Sequence, residues 1–184
     1  MIKLKFFGLG GQGIVTAAKT LSEAVSIYEE EYAITVPSYG HERRGAHVNT
    51  SIIIDSKPVL LNCFVYEPDL VLMSDASFLT REIDIGAGIS PNAVLVLNTE
   101  EETIARQFKQ TFGFQEVYYA DATGIAVKNI KRAIPNSAML GILAKTGIVK
   151  IESVTNAIKS AFGTKTGGTN ADAAKEAYDA AKKI

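Results

Sequence analysis

The chain has 184 residues, 47% of them hydrophobic and 21% charged, with 19 Lys and Arg against 20 Asp and Glu and a net charge of −1. At about 100–200 residues per domain this is one domain with enough apolar content for a core, which excludes wholesale disorder. The balanced charge gives no pull toward nucleic acid or an anionic membrane. Cys63 is the only cysteine, so an internal disulfide, a CxxC redox pair and an iron–sulfur cluster, which takes about four ligands, are all excluded. His41 and His47 add little metal-binding capacity. No stretch approaches the roughly 18 apolar residues of a spanning helix, and the N-terminus is too short for a signal core before its glycines. The expected location is the cytoplasm, with no membrane or nucleic-acid partner.

Residues 2–7 read as a short strand that runs into Gly8-Leu9-Gly10-Gly11-Gln12-Gly13. Ile14, Ala17, Ala18, Leu21, Ala24, Val25 and Tyr28 then recur at helical spacing. A second strand spans 32–36, halted by Pro37, and a polar loop covers 37–46. Residues 48–54 are β-branched and form a third strand, with 59–65 as a hairpin partner after the turn at 55–58. Cys63 falls in that apolar run and is expected to be a core thiol.

Strands follow at 70–73, 93–97 and 115–119. Ser74 and Asp75 precede a short helix ending at Leu79. Thr99 is the expected N-cap of a helix over 100–110, with Glu102 in the capping-box position. A helix over 121–131 comes next. Asn136 or Ser137 caps a helix over 138–146, whose Met139, Leu140 and Leu143 form a core face. Two helices, 151–162 and 170–183, flank a Gly/Thr-rich linker at 163–169. The alternation predicts an α/β fold, a three-layer α/β/α Rossmann-like domain with a mostly parallel, mixed sheet.

Three segments could carry chemistry. Gly8, Gly10 and Gly13 fit the dinucleotide fingerprint in its required strand–loop–helix context, and Gly11 lies within it. The glycines permit a tight turn, and amide groups at the helix start make a site for phosphate or carboxylate. Gln12 could touch a ligand or lock the loop. A nicotinamide site wants an acidic residue at the end of the second strand, and here that strand ends Thr35-Val36-Pro37-Ser38. Second, Tyr39, Arg43 and Arg44 lie in a loop expected beside the glycines, where they could grip an anion bidentately or anchor a partner subunit. Third, Asn136 opens the block Ile134-Pro135-Asn136-Ser137.

Four blocks together carry a family resemblance: GLGGQGIVTAAKTLSEA, VPSYGHERRGAHVNTSIII, YEPDLVLMSDASF and DATGIAVKNIKRAIPNSAMLGILAKTGIV. In this order they resemble the gamma subunit of 2-oxoacid:ferredoxin oxidoreductases, over residues 3–163. The Glu-Arg-Arg-Gly-Ala form and the Ile-Pro-Asn block are most similar to the pyruvate branch. The resemblance implies a complex that oxidatively decarboxylates a 2-oxoacid with coenzyme A, giving an acyl-CoA and electrons for ferredoxin. It implies thiamine diphosphate and Mg2+ on alpha and beta subunits, and iron–sulfur clusters on beta and a ferredoxin-like delta subunit. It implies no cofactor on this chain and no activity alone.

The expected domain is then 1–163, with 164–184 a C-terminal linker and helix of the same unit. The expected contacts of Gly8, Gly10, Gly11, Gln12, Gly13, Tyr39, Arg43, Arg44 and Asn136 are coenzyme A phosphates, the thiamine region or a neighbouring subunit. The isolated chain could pair with a second copy. A gamma subunit for 2-oxoglutarate or branched 2-oxoacids, and a free-standing NAD(P)-binding domain, stand as alternatives.

Overall fold

A computed structural model describes residues 1–38, 45–80 and 83–184. The strands are β1 (Ile2–Leu9), β2 (Tyr32–Ser38), β3 (His47–Asp55), β4 (Leu70–Met73), β5 (Val94–Asn98), β6 (Glu116–Ala120) and β7 (Lys182–Lys183). The helices are α1 (Ile14–Tyr28), α2 (Glu102–Phe112), α3 (Ala122–Ile130), α4 (Asn136–Ala144) and α5 (Ile151–Ala180). A 3₁₀ turn covers Ala76–Thr80.

The seven strands form one sheet in the order β2-β3-β1-β4-β5-β6-β7. β1, β4, β5 and β6 are parallel, as helical crossovers require. β3 runs antiparallel to both β1 and β2, and β7 runs antiparallel to β6. The sheet is therefore mixed, with a parallel centre.

Side-chain alternation gives each sheet face its own core. Leu4, Phe6, Ile52, Leu70, Leu72 and Val96 face α1, α4 and α5. Phe7, Val71, Met73, Leu95, Leu97 and Val117 face Phe78, Ile85, Ala105 and Phe108. β4 reads Leu-Val-Leu-Met because all four residues are buried, two toward each core. α4 is buried along its whole length, so its apolar residues form no single stripe.

Several elements depart from the sequence expectations. β2 continues through Pro37, which sits opposite Thr50. β2 is the sheet's outer strand, where a missing amide donor is tolerated. The 59–65 hairpin partner is absent because both edges of β3 are already paired, to β2 and β1. Residues 56–69 are irregular instead, pinned where the Val65 amide donates to Ser51 Oγ at 2.9 Å. Cys63 is consequently exposed, and Leu60 is 91% and Tyr66 73% exposed.

Thr99 does not cap α2. The helix starts at Glu102, with Thr99 Oγ1 accepting from the Glu101 amide and the Glu102 carboxylate turned to Arg106 and Tyr119. α4 starts at Asn136 behind Pro135, with no side-chain cap. The 163–169 linker is helical apart from Gly163, which breaks α5 at φ 66°. There Gly167 lies against the Lys159 backbone, and the Thr166 and Thr169 hydroxyls donate to carbonyls of Phe162 and Thr166. Beyond the break, Ala171, Ala173, Ala174 and Ala177 are buried in the core shared with α4.

Small residues set that contact. A Cβ on Gly141 would overlap the Ala174 carbonyl oxygen. Gly141→Ala should force α5 away from α4 and lower unfolding stability by about 1–3 kcal/mol, read by denaturant titration. Glu176 ties α5 to α3, accepting from Asn129 Nδ2 at 3.0 Å and Lys128 Nζ at 2.8 Å. The Asn129 and Lys128 hydrogen bonds hold its carboxyl below the ordinary glutamate range. A lowered carboxyl stabilises the fold above the unfolded-state value, and that contribution is lost as pH falls through the folded one. Glu176→Gln should therefore lower stability near neutrality and flatten the acid limb of the stability–pH profile, the two proteins converging at low pH, read by denaturant titration across the pH range.

Candidate functional site

The carboxyl ends of the parallel strands form one edge of the sheet, where α/β proteins place their ligand clefts. β1 reaches this edge at Leu9 and turns through the glycines into α1. Gly13 is left-handed, with φ 75°, and occupies the N-cap position, with no side chain capping the helix. A Cβ on Gly13 would lie 2.7 Å from Asn136 Nδ2, so the residue is required by both backbone and packing. Gly8 answers a different need: a Cβ there would overlap Ser74 Oγ and lie 2.6 Å from Ile14 Cδ1.

The loop is locked from within. Gln12 Oε1 accepts from the Leu9 amide at 2.8 Å and from Ser74 Oγ at 2.6 Å, and Gln12 Nε2 donates to Asp75 Oδ2 at 2.9 Å. The side-chain amide is thus occupied inside the protein. The Gly10 amide donates to the Ala46 carbonyl at 2.8 Å, and the Gly45 amide to the Gly10 carbonyl at 3.3 Å. The polar seam continues along the edge, where Asn98 Nδ2 donates to the Ser74 carbonyl at 2.9 Å and Thr123 Oγ1 at 2.8 Å. Asp121 Oδ1 accepts from the Gly124 amide at 2.7 Å and caps α3.

What the seam leaves open is a cleft of about 470 Å³ on the Gly11–Gly13 side of the loop. Thr16, Ile130, Arg132, Ile134, Asn136, Phe162, Thr166 and Asn170 complete its lining. Arg132 is the one charged residue among these. The first amides of α1 have no intrahelical acceptor, as at any helix start, and they add positive character. Asn170 is committed to the protein, accepting from Ser137 Oγ and donating to the Thr166 carbonyl, each at 2.9 Å.

The sequence-selected residues therefore divide. Gly8, Gly10, Gly11, Gln12, Gly13 and Asn136 converge at the start of α1. Tyr39, Arg43 and Arg44 lie outside the described residues, although flanking Gly45 and Ala46 bond Gly10. Sequence reasoning passed over Arg132, Thr16 and Thr166 in the cleft, and Ser74 and Asp75 in the lock. Arg132 carried one signal: it is a cation just ahead of Ile134-Pro135-Asn136 with no acidic residue nearby in sequence.

A smaller cavity of about 250 Å³ holds Glu100, Asp121, Glu176 and Lys182. Two of its acids have structural work, Asp121 as a cap and Glu176 as the α3–α5 tie. Among the described residues no three His, Cys, Asp or Glu side chains gather to hold a metal ion. No helix among them is long and apolar enough to cross a membrane.

The model of the pyruvate ferredoxin/flavodoxin oxidoreductase family matches residues 3–180. The chain is 42% identical to the common gamma subunit of pyruvate/ketoisovalerate oxidoreductases from Pyrococcus abyssi, over 97% of this chain and 96% of that protein. It is 41% identical to pyruvate synthase subunit PorC of Methanocaldococcus jannaschii, again over 97% and 96%. The crystal structure of pyruvate oxidoreductase subunit PORC from Thermotoga maritima superposes with a TM-score of 0.84 at 30% identity, covering 99% of this chain and 97% of that one. The match extends beyond residue 163 and takes in the second half of α5.

The Gln12 lock sets a stability test. Gln12→Ala strands the Leu9 amide and the Ser74 hydroxyl and frees Asp75. Unfolding stability should fall by about 2–3 kcal/mol, measured by denaturant titration.

Proposed function

The chain belongs to the pyruvate ferredoxin/flavodoxin oxidoreductase family, and from that membership we propose that it is the gamma subunit of a complex oxidising a 2-oxoacid, with pyruvate the leading substrate. The complex joins oxidative decarboxylation to coenzyme A acylation and passes electrons to ferredoxin. The observation that carries this reading is end-to-end similarity: 42% identity over 97% of the chain to a protein that is itself a gamma subunit. Similarity of that extent leaves no room for an added catalytic domain within these residues.

In this reading alpha and beta subunits hold thiamine diphosphate with Mg2+, beta and delta subunits hold iron–sulfur clusters, and the complex works in the cytoplasm. Those cofactors supply the decarboxylation and electron transfer. This chain contributes binding surface. Its one cysteine cannot hold a cluster. The glycine loop, with Tyr39, Arg43 and Arg44 in the connection that follows β2, would face coenzyme A phosphates, the thiamine region or a neighbouring subunit. The exposed Leu60, Leu61, Phe64 and Tyr66 offer an apolar partner face, which a second copy can cover in the isolated chain.

The NAD(P) alternative is not favoured. No acidic residue ends β2, and β3 stands between β2 and β1 in the sheet. The 2-oxoacid is chosen where it meets thiamine, on other subunits, and the Pyrococcus relative is by its name common to two oxidoreductases.

Affinity purification from the native host tests the reading. The tagged chain should bring down alpha, beta and delta chains, iron–sulfur absorbance and 2-oxoacid-dependent dye reduction, with pyruvate the best substrate. A lone, colourless chain would refute it. Replacing Arg43 and Arg44 together with Ala should raise the apparent KM for coenzyme A or release the subunit. Unchanged kinetics in an intact complex would remove those arginines from the site.

A further inference from the structure

We propose that Lys5 and the exposed segment 60–66 form one docking surface, on which another subunit of the complex seats an apolar element whose carboxylate pairs with the Lys5 ammonium. The inference rests on the gamma-subunit reading for the existence of that subunit. It deepens the reading by giving the partner's chemistry and its place on the sheet.

The sheet face opposite α1 is covered unevenly. Its core takes strand residues from β1, β4, β5 and β6, together with Phe78 of the 3₁₀ turn and Ala105 and Phe108 of α2. No residue of β2 or β3 belongs to that core. Over β3 the face is closed by the irregular segment, held where the Val65 amide donates to Ser51 Oγ. Val65 is buried there, but Leu60, Leu61, Phe64 and Tyr66 turn to solvent, between 43% and 91% exposed. The three-layer arrangement is short of a layer over this half of the sheet, and an apolar element from outside would complete it.

Lys5 gives the charge that the outside element must match. It stands on β1 between Ser51 of β3 and Val71 of β4, on the same strand face as Phe7. Its Nζ is 5.3 Å from the centre of the Phe7 ring and 6.0 Å from that of Tyr66, so the ammonium is held over aromatic faces at the edge of the patch. It is half-buried and pairs with no carboxylate among the described residues. Burial pulls it below the ordinary lysine range. Lys3, on the same strand face, has Glu67 at 4.0 Å, whereas Lys5 has only rings. A partner carboxylate would offset the desolvation of the ammonium and fix the register of the apolar contact. A second copy of this chain is the poorer occupant, because a twofold contact would bring the same lysines toward each other.

The test uses the full 184-residue chain within the complex purified through it. A carbodiimide, which joins amines to carboxylates in direct contact without a spacer, should link Lys5 to an Asp or Glu of another subunit, identified by peptide mass spectrometry. In competition with the wild-type chain for the remaining subunits, Lys5→Met should be incorporated about tenfold less, and Lys5→Glu less again. Tyr66→Ser should weaken incorporation in the same direction. Lys5→Met keeps the apolar stem and removes a half-buried charge, so the isolated chain should melt no lower than wild type. Loss of affinity without loss of stability separates docking from a structural role. Lys175→Met, on the exposed side of α5, is the control and should compete equally. A Lys5 link confined to another copy of this chain, no Lys5 link in an assembled complex, or incorporation of Lys5→Glu at the wild-type level overturns the proposal. A chain that joins no complex removes the subunit reading and this proposal together, whereas an assembled complex with Lys5 unlinked removes this proposal alone.

Discussion

The polar seam along the carboxyl ends of the parallel strands is the constraint on which the rest of the site depends. Three strand ends and two loops meet at this part-buried edge, and side chains there pair backbone groups that the strands leave open. Gln12 answers for β1 and β4 together, with one amide accepting from Leu9 and Ser74 and donating to Asp75. Asn98 continues the tie from β4 to the start of α3 through Ser74 and Thr123. Once these bonds fix the loop, α1 can start in only one place. Gly13 then stands against Asn136, and the α3–α4 connection is drawn beside the helix start. The cleft is what remains after the seam is closed.

The same sheet explains why a dinucleotide fingerprint sits on a chain with no dinucleotide logic. In the fold that gave the motif its meaning, the strand after the first helix lies next to β1 and carries an acid for the ribose. Here β3 enters between them, antiparallel to both, and moves β2 to the outer edge. The end of β2 is thereby one strand further from the glycine loop, and the connection into β3 returns to bond Gly10 through Gly45 and Ala46. Glycine spacing alone reports a tight strand–helix turn. What the turn faces is decided by the strand order, which the spacing does not contain.

That distinction separates what was legible in the sequence from what was not. α1 and β4 were readable to the residue, because helical periodicity and a short continuous apolar run are local signals. The β3 partner was not. The apolar stretch around Val59 looks like a strand to any local rule, and only the prior claim of β2 and β1 on both edges of β3 turns it into an exposed segment. Cys63 was misjudged for the same reason. Pro37 misled because a proline forbids a central strand and permits an outer one, and position in the sheet is a tertiary fact. The Gly/Thr run at 163–169 resembled a linker, but glycine is also what lets the two halves of α5 pack closely, and Gly167 against Lys159 is that use. In the site, the glycines and Asn136 were visible as motifs. Arg132 became a candidate only when folding brought it beside them.

The exposed segment bears on the division of labour within a complex. Helices α1, α4 and α5 cover one sheet face, and α2 with the 3₁₀ turn covers part of the other. Over β3 that second face is closed by irregular chain, which buries Val65 but leaves Leu60, Leu61, Phe64 and Tyr66 to solvent. Apolar side chains so placed add nothing to the chain's own core, and four within seven residues are a patch rather than scatter. A chain that had to persist alone would gain solubility by replacing them. Such a patch fits the proposed role as one subunit of a complex, whose surface partners would complete. In the proposed complex the lone cysteine and the apolar patch would be two signs of one dependence, with both the cofactors and the covering of the sheet falling to other subunits.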